Sequence, residues 1–394
     1  MLNKNLLHPE IQAFIKENFK VDPVQLILKG SPFPKVNVKD LATQIQAKRK
    51  AERKLPTWFN AQQVLYPPNL NLSQSSSELT ANYKSTLVSG ETLIDITGGF
   101  GVDVFYFAQK MNRVVHCELD SNLSALAKHN FKILSAHDNC EFIHGNGIDY
   151  VKNLQQKVDW IYADPGRRTD SGKKIVRLEE AQPNILAHLA LLKSKAGKIL
   201  LKTSPLLDLS LAKNQLKTVE EIHVISVHNE VKELLWIIGQ TPSEKTLVKT
   251  INFHGIKQDE FSAYMEEESA ANPNYSTPLS YLYEPNAAIL KAGFFKKIAE
   301  EYTLYKLAQH THLYTSTEPI DFPGRTFEII EVMPVHKKHF KKTEIKKANI
   351  STRNFPMKPA QIKKKFGIKD GGDEYLFFTA DKEGQNLLIW ARKH

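Results

Sequence analysis

Short apolar runs alternate with longer amphipathic stretches through the middle of the chain. Runs of five to eight residues have the length of buried strands, and the stretches between them repeat apolar positions every three or four residues, as helices do. The predicted strands are residues 92–97, 113–119, 140–144, 158–163, 198–203, 221–228 and 233–239. The predicted helices between the first five are residues 102–109, 121–134, 147–154 and 179–192. This alternation predicts βαβ units and a parallel sheet with helices on both faces.

The segment before the first strand has a helical pattern instead. Within residues 1–85, apolar positions such as Ile11 and Ile15 recur at the spacing of one helix face. Ser75, three residues before Glu78, predicts a capping box at the start of the last helix before the sheet. We therefore expect a helical N-terminal region.

The segment after residue 242 has a third pattern of hydrophobic and polar positions. Three prolines punctuate a loop-rich stretch, and a helical pattern returns at residues 287–302. Shorter predicted strands follow, with one helix at residues 359–366. This order predicts small α+β modules at the C-terminal end.

Composition and charge narrow the possible partners. The 394 residues carry a formal net charge of +10, which favours an acidic partner, with nucleic acid the leading candidate. No apolar run approaches the ~18 residues that a membrane span needs, and the first residues lack the pattern of a secretion signal. Two cysteines suit a reducing cytoplasm, and the histidines lack metal-ligand spacing. We expect a cytoplasmic protein with no membrane contact and no metal.

The loop after the first predicted strand carries three glycines within four positions: Gly98, Gly99 and Gly101. Glycines lack the Cβ atoms that would keep a ligand from the backbone, and the following helix N-terminus offers N–H groups. Asp95, at the strand end, would repel a pyrophosphate but suits a cationic amino-acid group. The loop therefore predicts a nucleotide-type ligand that carries a cationic part.

Polar residues follow the next three strands as well. Glu118 ends the second strand about 20 residues beyond the glycines, where a ribose-binding acid belongs. Asn146 and Gly147 follow the third strand, and Asp164 and Pro165 follow the fourth. Because the carboxyl ends of parallel strands meet at one edge, we expect these residues to line one ligand site.

The glycine loop resembles motif I of the class I S-adenosylmethionine (SAM)-dependent methyltransferases. The resemblance implies a doubly wound, seven-stranded Rossmann-like α/β sheet with a reversed last strand, and SAM as the cofactor. It implies that the first acid faces the amino-acid part of SAM, the second takes the ribose hydroxyls, and the amide lies near the adenine. The residues that it assigns to SAM binding are Asp95, Thr97, Gly98, Gly99, Gly101, Glu118, Asn146 and Gly147.

The motif after the fourth strand is where the resemblance places the methyl acceptor. Methyltransferases that act on nucleobase nitrogens have Asn, Ser or Asp there, then two prolines and an aromatic residue. Asp164 and Pro165 keep the start of that motif and are our candidate catalytic residues, but Gly166 and Arg167 replace its end. Arg167 and Arg168 could pair with phosphate, stack on a base, bind an acidic small molecule or buttress the loop.

The cysteines bear on which atom is methylated. Carbon-5 methylation of pyrimidines needs a thiolate that first adds to the ring. Cys117 and Cys140 fall in the second and third predicted strands, away from the acceptor motif, and we expect both in the core. The expected acceptor is therefore nitrogen, oxygen, or a carbon that needs no thiolate.

The C-terminal third resembles two modules found in a group of bacterial SAM-dependent methyltransferases. Residues 348–356 and 369–377 resemble the THUMP-like domain of that group, and residues 283–293 and 311–314 resemble its small ferredoxin-like module. True THUMP domains bind RNA in tRNA-modifying enzymes. The resemblance therefore implies RNA as a partner of this end of the chain.

Within the THUMP-like stretch, Arg353 beside Phe355 is our candidate for RNA contact, because a cation next to an aromatic can serve phosphate and base together. The neighbouring lysine runs are also the usual composition of a solvated face. The predicted organisation is an N-terminal helical region at 1–85, a methyltransferase domain at 86–242, a linker and ferredoxin-like module at 243–324, and a THUMP-like domain at 325–394.

These observations predict a SAM-dependent methyltransferase that modifies a nitrogen or oxygen of tRNA or rRNA. One alternative is a small-molecule or protein methyltransferase whose C-terminal modules form a lid or a dimer contact. Another is a non-catalytic SAM-binding protein that clamps RNA. A Rossmann dehydrogenase is disfavoured, because Asp95 abuts the loop and the glycines lack regular G-x-G-x-x-G spacing.

Overall fold

The computed structural model describes residues 3–166, 177–255, 257–340 and 343–394. Its contacts divide the chain into two compact units: residues 1–219 with 235–242, and residues 220–234 with 243–394. None of the helices in these described ranges is both long enough and apolar enough to cross a membrane.

The N-terminal region is helical, as its pattern predicts. Proline at the first turn starts three of its helices, because the missing N–H has no helical partner at that position. Asp22 and Asn37 cap two helices by accepting backbone N–H bonds. The helices are α1 Pro9–Glu17, α2 Pro23–Lys29, α3 Val38–Lys54, α4 Pro56–Asn60, α5 Asn69–Gln74 and α6 Glu78–Ser85.

The predicted capping box on Ser75 is wrong by two residues. Ser77 is the N-cap of α6, and its hydroxyl accepts a hydrogen bond from the Thr80 N–H at 3.2 Å. The Glu78 carboxylate does not close a box, because it accepts hydrogen bonds from the Thr57 N–H and hydroxyl at 2.5 and 2.8 Å. This carboxylate instead joins α6 to α4.

The larger sheet has the predicted α/β character. Its strand order is β3-β2-β1-β4-β5-β7-β6-β8-β9, and the pairs among the first five strands are parallel. Its strands are β1 Thr92–Asp95, β2 Arg113–Glu118, β3 Cys140–His144, β4 Val158–Ala163, β5 Ala196–Thr203, β6 Val219–Val227, β7 Glu230–Ile238, β8 Leu247–His254 and β9 Lys257–Tyr264. The seven predicted strands are present, so the doubly wound fold class is confirmed. The last two strands, β8 and β9, come from the stretch predicted as a linker.

Side-chain caps set where the helices of this region begin. Asp120, Asn146 and Asp208 each accept N–H bonds from the first turn that follows. The predicted helix at 179–192 starts later, because Pro183 precedes the N-cap Asn184. The helices are α7 Val102–Phe107, α8 Ser121–Leu134, α9 Gly147–Lys152, α10 Ile185–Lys195 and α11 Leu209–Leu216.

A second sheet, of seven strands, lies within the unit formed by residues 220–234 and 243–394. Its order is β11-β12-β10-β13-β16-β15-β14. Its strands are β10 Tyr281–Pro285, β11 Tyr305–Lys306, β12 Tyr314–Ser316, β13 Gly324–Pro334, β14 Lys347–Thr352, β15 Lys369–Ala380 and β16 Asn386–Lys393. Strand β13 pairs with both β10 and β16, so the two predicted C-terminal modules share one continuous sheet.

Five helices lie among the described residues of this second unit. The predicted helix at 287–302 is two helices, because Gly293 ends the first with φ +83°. The helix predicted at 359–366 has the expected bounds. They are α12 Glu267–Ala270, α13 Ala287–Ala292, α14 Lys297–Glu301, α15 Lys337–Phe340 and α16 Pro359–Phe366.

Candidate active site

The loop after β1 is tied to the loop after β4 through one hydroxyl. The Thr97 hydroxyl donates to Asp95 Oδ1 at 3.1 Å and accepts from the Asp164 N–H at 2.6 Å. The Thr97 N–H also donates to Asp95 Oδ1 at 2.9 Å. The predicted cofactor loop and the predicted acceptor motif are therefore joined by a direct hydrogen-bond chain.

Two glycines of the candidate site stand where no side chain fits. A Cβ on Gly98 would lie 2.4 Å from the His116 ring, and a Cβ on Gly147 would lie 2.4 Å from the Ile96 carbonyl oxygen. Gly99 and Gly101 adopt positive φ angles of +56° and +80°, which favour glycine. These positions allow the backbone to turn tightly at the carboxyl ends of β1 and β3.

Glu118 holds the glycine loop from the neighbouring strand. Its Oε2 accepts from the Gly99 N–H at 2.8 Å, and its Oε1 accepts from the Asp120 N–H at 2.8 Å. The side chain is partly exposed at the end of β2. Its predicted contact with ribose hydroxyls stays a prediction.

A cavity of about 310 Å³ opens at this edge of the sheet. Five predicted site residues are part of its lining: Thr97, Gly99, Glu118, Asp164 and Pro165. Apolar walls come from Phe100, Leu119 and Leu123, and polar groups of the N-terminal region come from Asn71, Gln74 and Ser75. The volume is at the lower end of the ~300–1,000 Å³ typical of small-molecule sites.

Three other predicted residues support the loops from behind. Asp95 is buried behind Thr97, at 1% exposure. The Asn146 Oδ1 caps α9, accepting from the Ile148 N–H at 2.8 Å, and Gly147 packs on Ile96. Their contacts with SAM stay predictions. To contact the adenine, the Asn146 amide would have to bind the ligand while its Oδ1 still caps α9.

Two of the four predicted substrate residues lie within the described structure. Arg167 and Arg168 lie outside the described residues. Arg353 Nη2 pairs with the buried Glu284 Oε1 at 2.8 Å, and half-buried Phe355 packs on Phe378 at 5.5 Å between ring centroids. Both side chains of the Arg353–Phe355 pair thus have internal partners, and their contact with RNA stays a prediction.

A buried ion network beneath the cavity was missed by the sequence analysis. The Lys202 Nζ, fully buried at the end of β5, donates to Asp164 Oδ2 at 2.5 Å and to the Ser76 hydroxyl at 3.0 Å. Buried Lys84 donates to the same hydroxyl at 2.9 Å and pairs with Asp103 at 3.2 Å. The signal was present as a lysine inside an apolar parallel strand, where a charge must be paired.

Charges in this network set the ionisation of its carboxyl groups. Burial acts to raise the pKa of Asp103, but Lys84 and Lys202 outweigh it and hold that pKa below its usual value. Burial raises the pKa of Asp95 well above its usual value, and the carboxylates of Asp103 and Asp164 raise it further. Its surroundings therefore oppose the ionisation of Asp95 and favour that of Asp103.

Comparisons with known proteins bear on this site. A structure described as a methyltransferase from Porphyromonas gingivalis W83 is 31% identical, with a TM-score of 0.88, over 99% of this chain and 98% of that one. Family models match at residues 90–167 (RNA cap guanine-N2 methyltransferase), 281–323 (ferredoxin-like domain) and 324–393 (THUMP domain-like). No curated protein matches the chain.

The chain belongs to this family of SAM-dependent methyltransferases.

More distant structures also match parts of the methyltransferase. M. capricolum TrmK in complex with S-adenosyl-homocysteine is 15% identical, over 45% of this chain and 71% of that one, with a TM-score of 0.33. The M. jannaschii tRNA m1G37 methyltransferase is 11% identical, over 43% and 51%, with a TM-score of 0.31.

The chemistry of the cavity fits SAM. Gly99 brings its backbone to the lining without a side chain, and Glu118 presents a carboxylate beside it. Leu119, 68% exposed, offers an apolar surface next to that acid. SAM needs an acceptor for ribose hydroxyls, an apolar face for its adenine and room along the glycine backbone, and these three residues would supply them to bound SAM.

We expect Gly147→Ala to weaken both folding and SAM binding, because its Cβ would meet backbone atoms of Ile96 that cannot move aside. Gly145→Ala is the matched control two residues away, where a Cβ would have its nearest contact at 3.9 Å. Thermal unfolding and SAM calorimetry on both variants test this. Equal losses in the two variants would contradict the assigned role of Gly147.

We expect Asp95→Asn to remove a pH-dependent loss of stability. The raised pKa means that folded Asp95 keeps a proton that the unfolded chain releases near pH 3.8, so wild-type stability falls as the pH rises from there to the folded pKa. The variant lacks this component, so its melting temperature should gain on the wild type across that interval. SAM affinity should fall about tenfold, because an amide cannot ionise. If the melting temperatures of the two proteins changed with pH in parallel, the raised pKa assigned to Asp95 would be refuted.

Proposed function

We propose that the methyltransferase transfers the methyl group of SAM to a nitrogen or oxygen atom of tRNA or rRNA. The observation that carries the proposal is a concentration of exposed lysines in the part of the chain that matches a THUMP-like domain. Residues 325–394 contain sixteen Lys and Arg against eight Asp and Glu. Such an excess is the electrostatic footprint of nucleic-acid binding.

These lysines converge at the amino ends of two parallel strands. Lys347 on β14 is in register with Lys369 on β15. Helix α16 leads directly into β15, and its Phe366 ring packs on Phe340 of α15 at 5.2 Å. We call this set the lysine surface; its exposed members are Lys337, Lys338, Lys346, Lys347, Lys364, Lys365 and Lys369.

The family models support the same proposal. The model that matches the sheet region describes methyltransferases of an RNA cap guanine nitrogen, and THUMP domains are RNA-binding modules. The alternative of a small-molecule or protein methyltransferase, with these modules as a lid or dimer contact, does not account for the lysine surface. We therefore favour RNA.

The acceptor side of the site is built around Asp164. Its backbone N–H is held by Thr97, and its Oδ2 by Lys202, so the carboxylate has a fixed place at the cavity edge. A carboxylate there can orient the nucleophile or accept its proton. SAM, when bound, supplies a methyl group on a positively charged sulfur, and the protein's part is mainly to position the acceptor in line with it.

The cysteines are consistent with a nitrogen or oxygen acceptor. Cys117 is buried, and burial raises the pKa of its thiol to about 12. Burial also raises the pKa of the half-buried Cys140. Neither thiol is suited to act as the thiolate that carbon-5 methylation requires.

We expect Lys202→Met to lower methyl transfer at least about tenfold and to leave SAM affinity within about threefold, because Lys202 contacts Asp164 on the acceptor side. Lys202→Arg, which keeps the charge, should be less impaired. In the Asp164→Asn background, Lys202→Met should have little further effect, since both act through one carboxylate. Single-turnover transfer of labelled methyl groups to in vitro transcribed tRNA and rRNA measures this.

The control for this experiment is Lys84→Met, which removes a buried lysine that donates to Ser76 and pairs with Asp103. It should cost stability without the same loss of methyl transfer. Additive effects of the Lys202 and Asp164 variants would contradict the shared role. Nucleoside analysis of the methylated RNA identifies the modified atom.

We expect RNA affinity to fall steeply with salt, because phosphate contacts release counterions. Lys346→Gln with Lys347→Gln should flatten the plot of log affinity against log salt by about 1.4 to 1.8, the equivalent of two phosphates. Lys110→Gln with Lys128→Gln, an equal change in charge on exposed lysines of the sheet region, should flatten it less. Salt-independent affinity of the wild type, measured by fluorescence anisotropy, would overturn the RNA proposal.

A further inference from the structure

A second concentration of positive charge lies at the other end of the chain. Residues 1–60 contain eleven Lys and Arg against five Asp and Glu, whereas residues 61–324 contain twenty-six against thirty. Within the N-terminal part, a cavity of about 580 Å³ opens between α1, α3, α4 and the loop after α4. We call it the N-terminal cavity; it is larger than the candidate cofactor cavity.

The lining of this cavity is basic, aromatic and amide-rich. Lys16 and Lys48 supply two cations, Phe19 and Phe59 supply two rings, and its described lining residues include no Asp or Glu. Amide side chains complete its polar lining: Gln12, Asn60, Gln62 and Gln63. This is the chemistry that holds a phosphate together with a stacked base.

The two lysines lack a compensating acid in the cavity lining. Burial lowers the pKa of Lys48, and the charge of Lys16 lowers it further. The Lys48 Nζ lies 5.8 Å from the centroid of the Phe59 ring, and the Phe59 and Phe19 centroids are 5.6 Å apart. An anion placed between the lysines would relieve their repulsion next to two aromatic surfaces.

Neighbouring contacts fix the aromatic wall in place. The Arg49 guanidinium donates to the carbonyl oxygens of Phe19 and Val21, which holds the chain after α1. Trp58, next to Phe59 in α4, is buried against Phe105 at 4.9 Å between centroids. Phe59 is thereby attached to the helix that follows the glycine loop, so the cavity is a preorganised site rather than a loose surface groove.

We propose that the N-terminal cavity binds one nucleotide of the RNA substrate, with Lys16 and Lys48 on its phosphate and Phe59 and Phe19 stacked against its base. The proposal rests on the proposed RNA substrate, and it adds a contact at the N-terminal region to that of the lysine surface.

The test uses the full-length protein and a short single-stranded oligoribonucleotide that contains the fluorescent base 2-aminopurine. Lys16→Gln with Lys48→Gln should weaken binding about tenfold near physiological salt and flatten the salt dependence by about 0.7, as loss of one single-strand phosphate contact requires. Phe59→Leu should weaken binding about tenfold and reduce the quenching of 2-aminopurine while the salt slope stays unchanged, because stacking releases no counterions.

Lys20→Gln with Lys50→Gln is the matched control, because both lysines are exposed and lie outside the cavity lining on the chain segments that supply Lys16 and Lys48. It should weaken binding less than threefold. Equal losses in the two double variants, with 2-aminopurine quenching intact in Phe59→Leu, would overturn the proposal. SAM calorimetry and thermal unfolding of every variant separate these effects from misfolding.

Two further outcomes are distinguishable. If AMP displaces the oligonucleotide at equal nucleotide concentration, the site takes a free nucleotide, and the assignment to RNA is overturned. If the wild type binds no RNA, both the proposed function and the N-terminal site are overturned. If the wild type binds RNA and the cavity variants bind it equally well, only the N-terminal site is overturned.

Discussion

Two lysines buried beneath the cofactor cavity are the constraint on which the site depends. Burying an ammonium group is costly unless it is paired and hydrogen-bonded, and Lys84 and Lys202 are matched by Asp103, Asp164 and the hydroxyl of Ser76. Removing one member leaves its partners as uncompensated charges. Asp164, the candidate carboxylate of the acceptor side, is thus held directly by the buried Lys202.

This network joins the N-terminal helices to the candidate active site. Ser76 and Lys84 come from the segment before the sheet, and Ser75 reaches the cofactor cavity. Glu78 joins the same segment to α4, whose Trp58 packs against α7 after the glycine loop. The helical region therefore supplies groups to the catalytic sheet, to the cavity edge and to the N-terminal cavity.

The balance of charge differs between the terminal regions and the middle of the chain. Both ends carry an excess of Lys and Arg, whereas the segment between them carries a small excess of Asp and Glu. The proposed function requires a site for a cationic cofactor and a surface for a polyanionic acceptor. The excess of Lys and Arg in the terminal regions suits the second requirement of that proposal.

The sequence by itself determined the first seven strands of the larger sheet, most helices and the glycine loop, because hydrophobic periodicity and turn chemistry are local properties. Local patterns misplaced the cap of α6 and the start of α10. Glu78 accepts hydrogen bonds from Thr57 on another helix instead of closing a capping box. Pro183 precedes the N-cap of α10 and delays the start of that helix. Only the tertiary structure brought Lys84 and Lys202 to Ser76 and gave Arg353 a buried partner in Glu284. These pairs join residues far apart in the chain, and no local pattern encodes which buried charge will meet which.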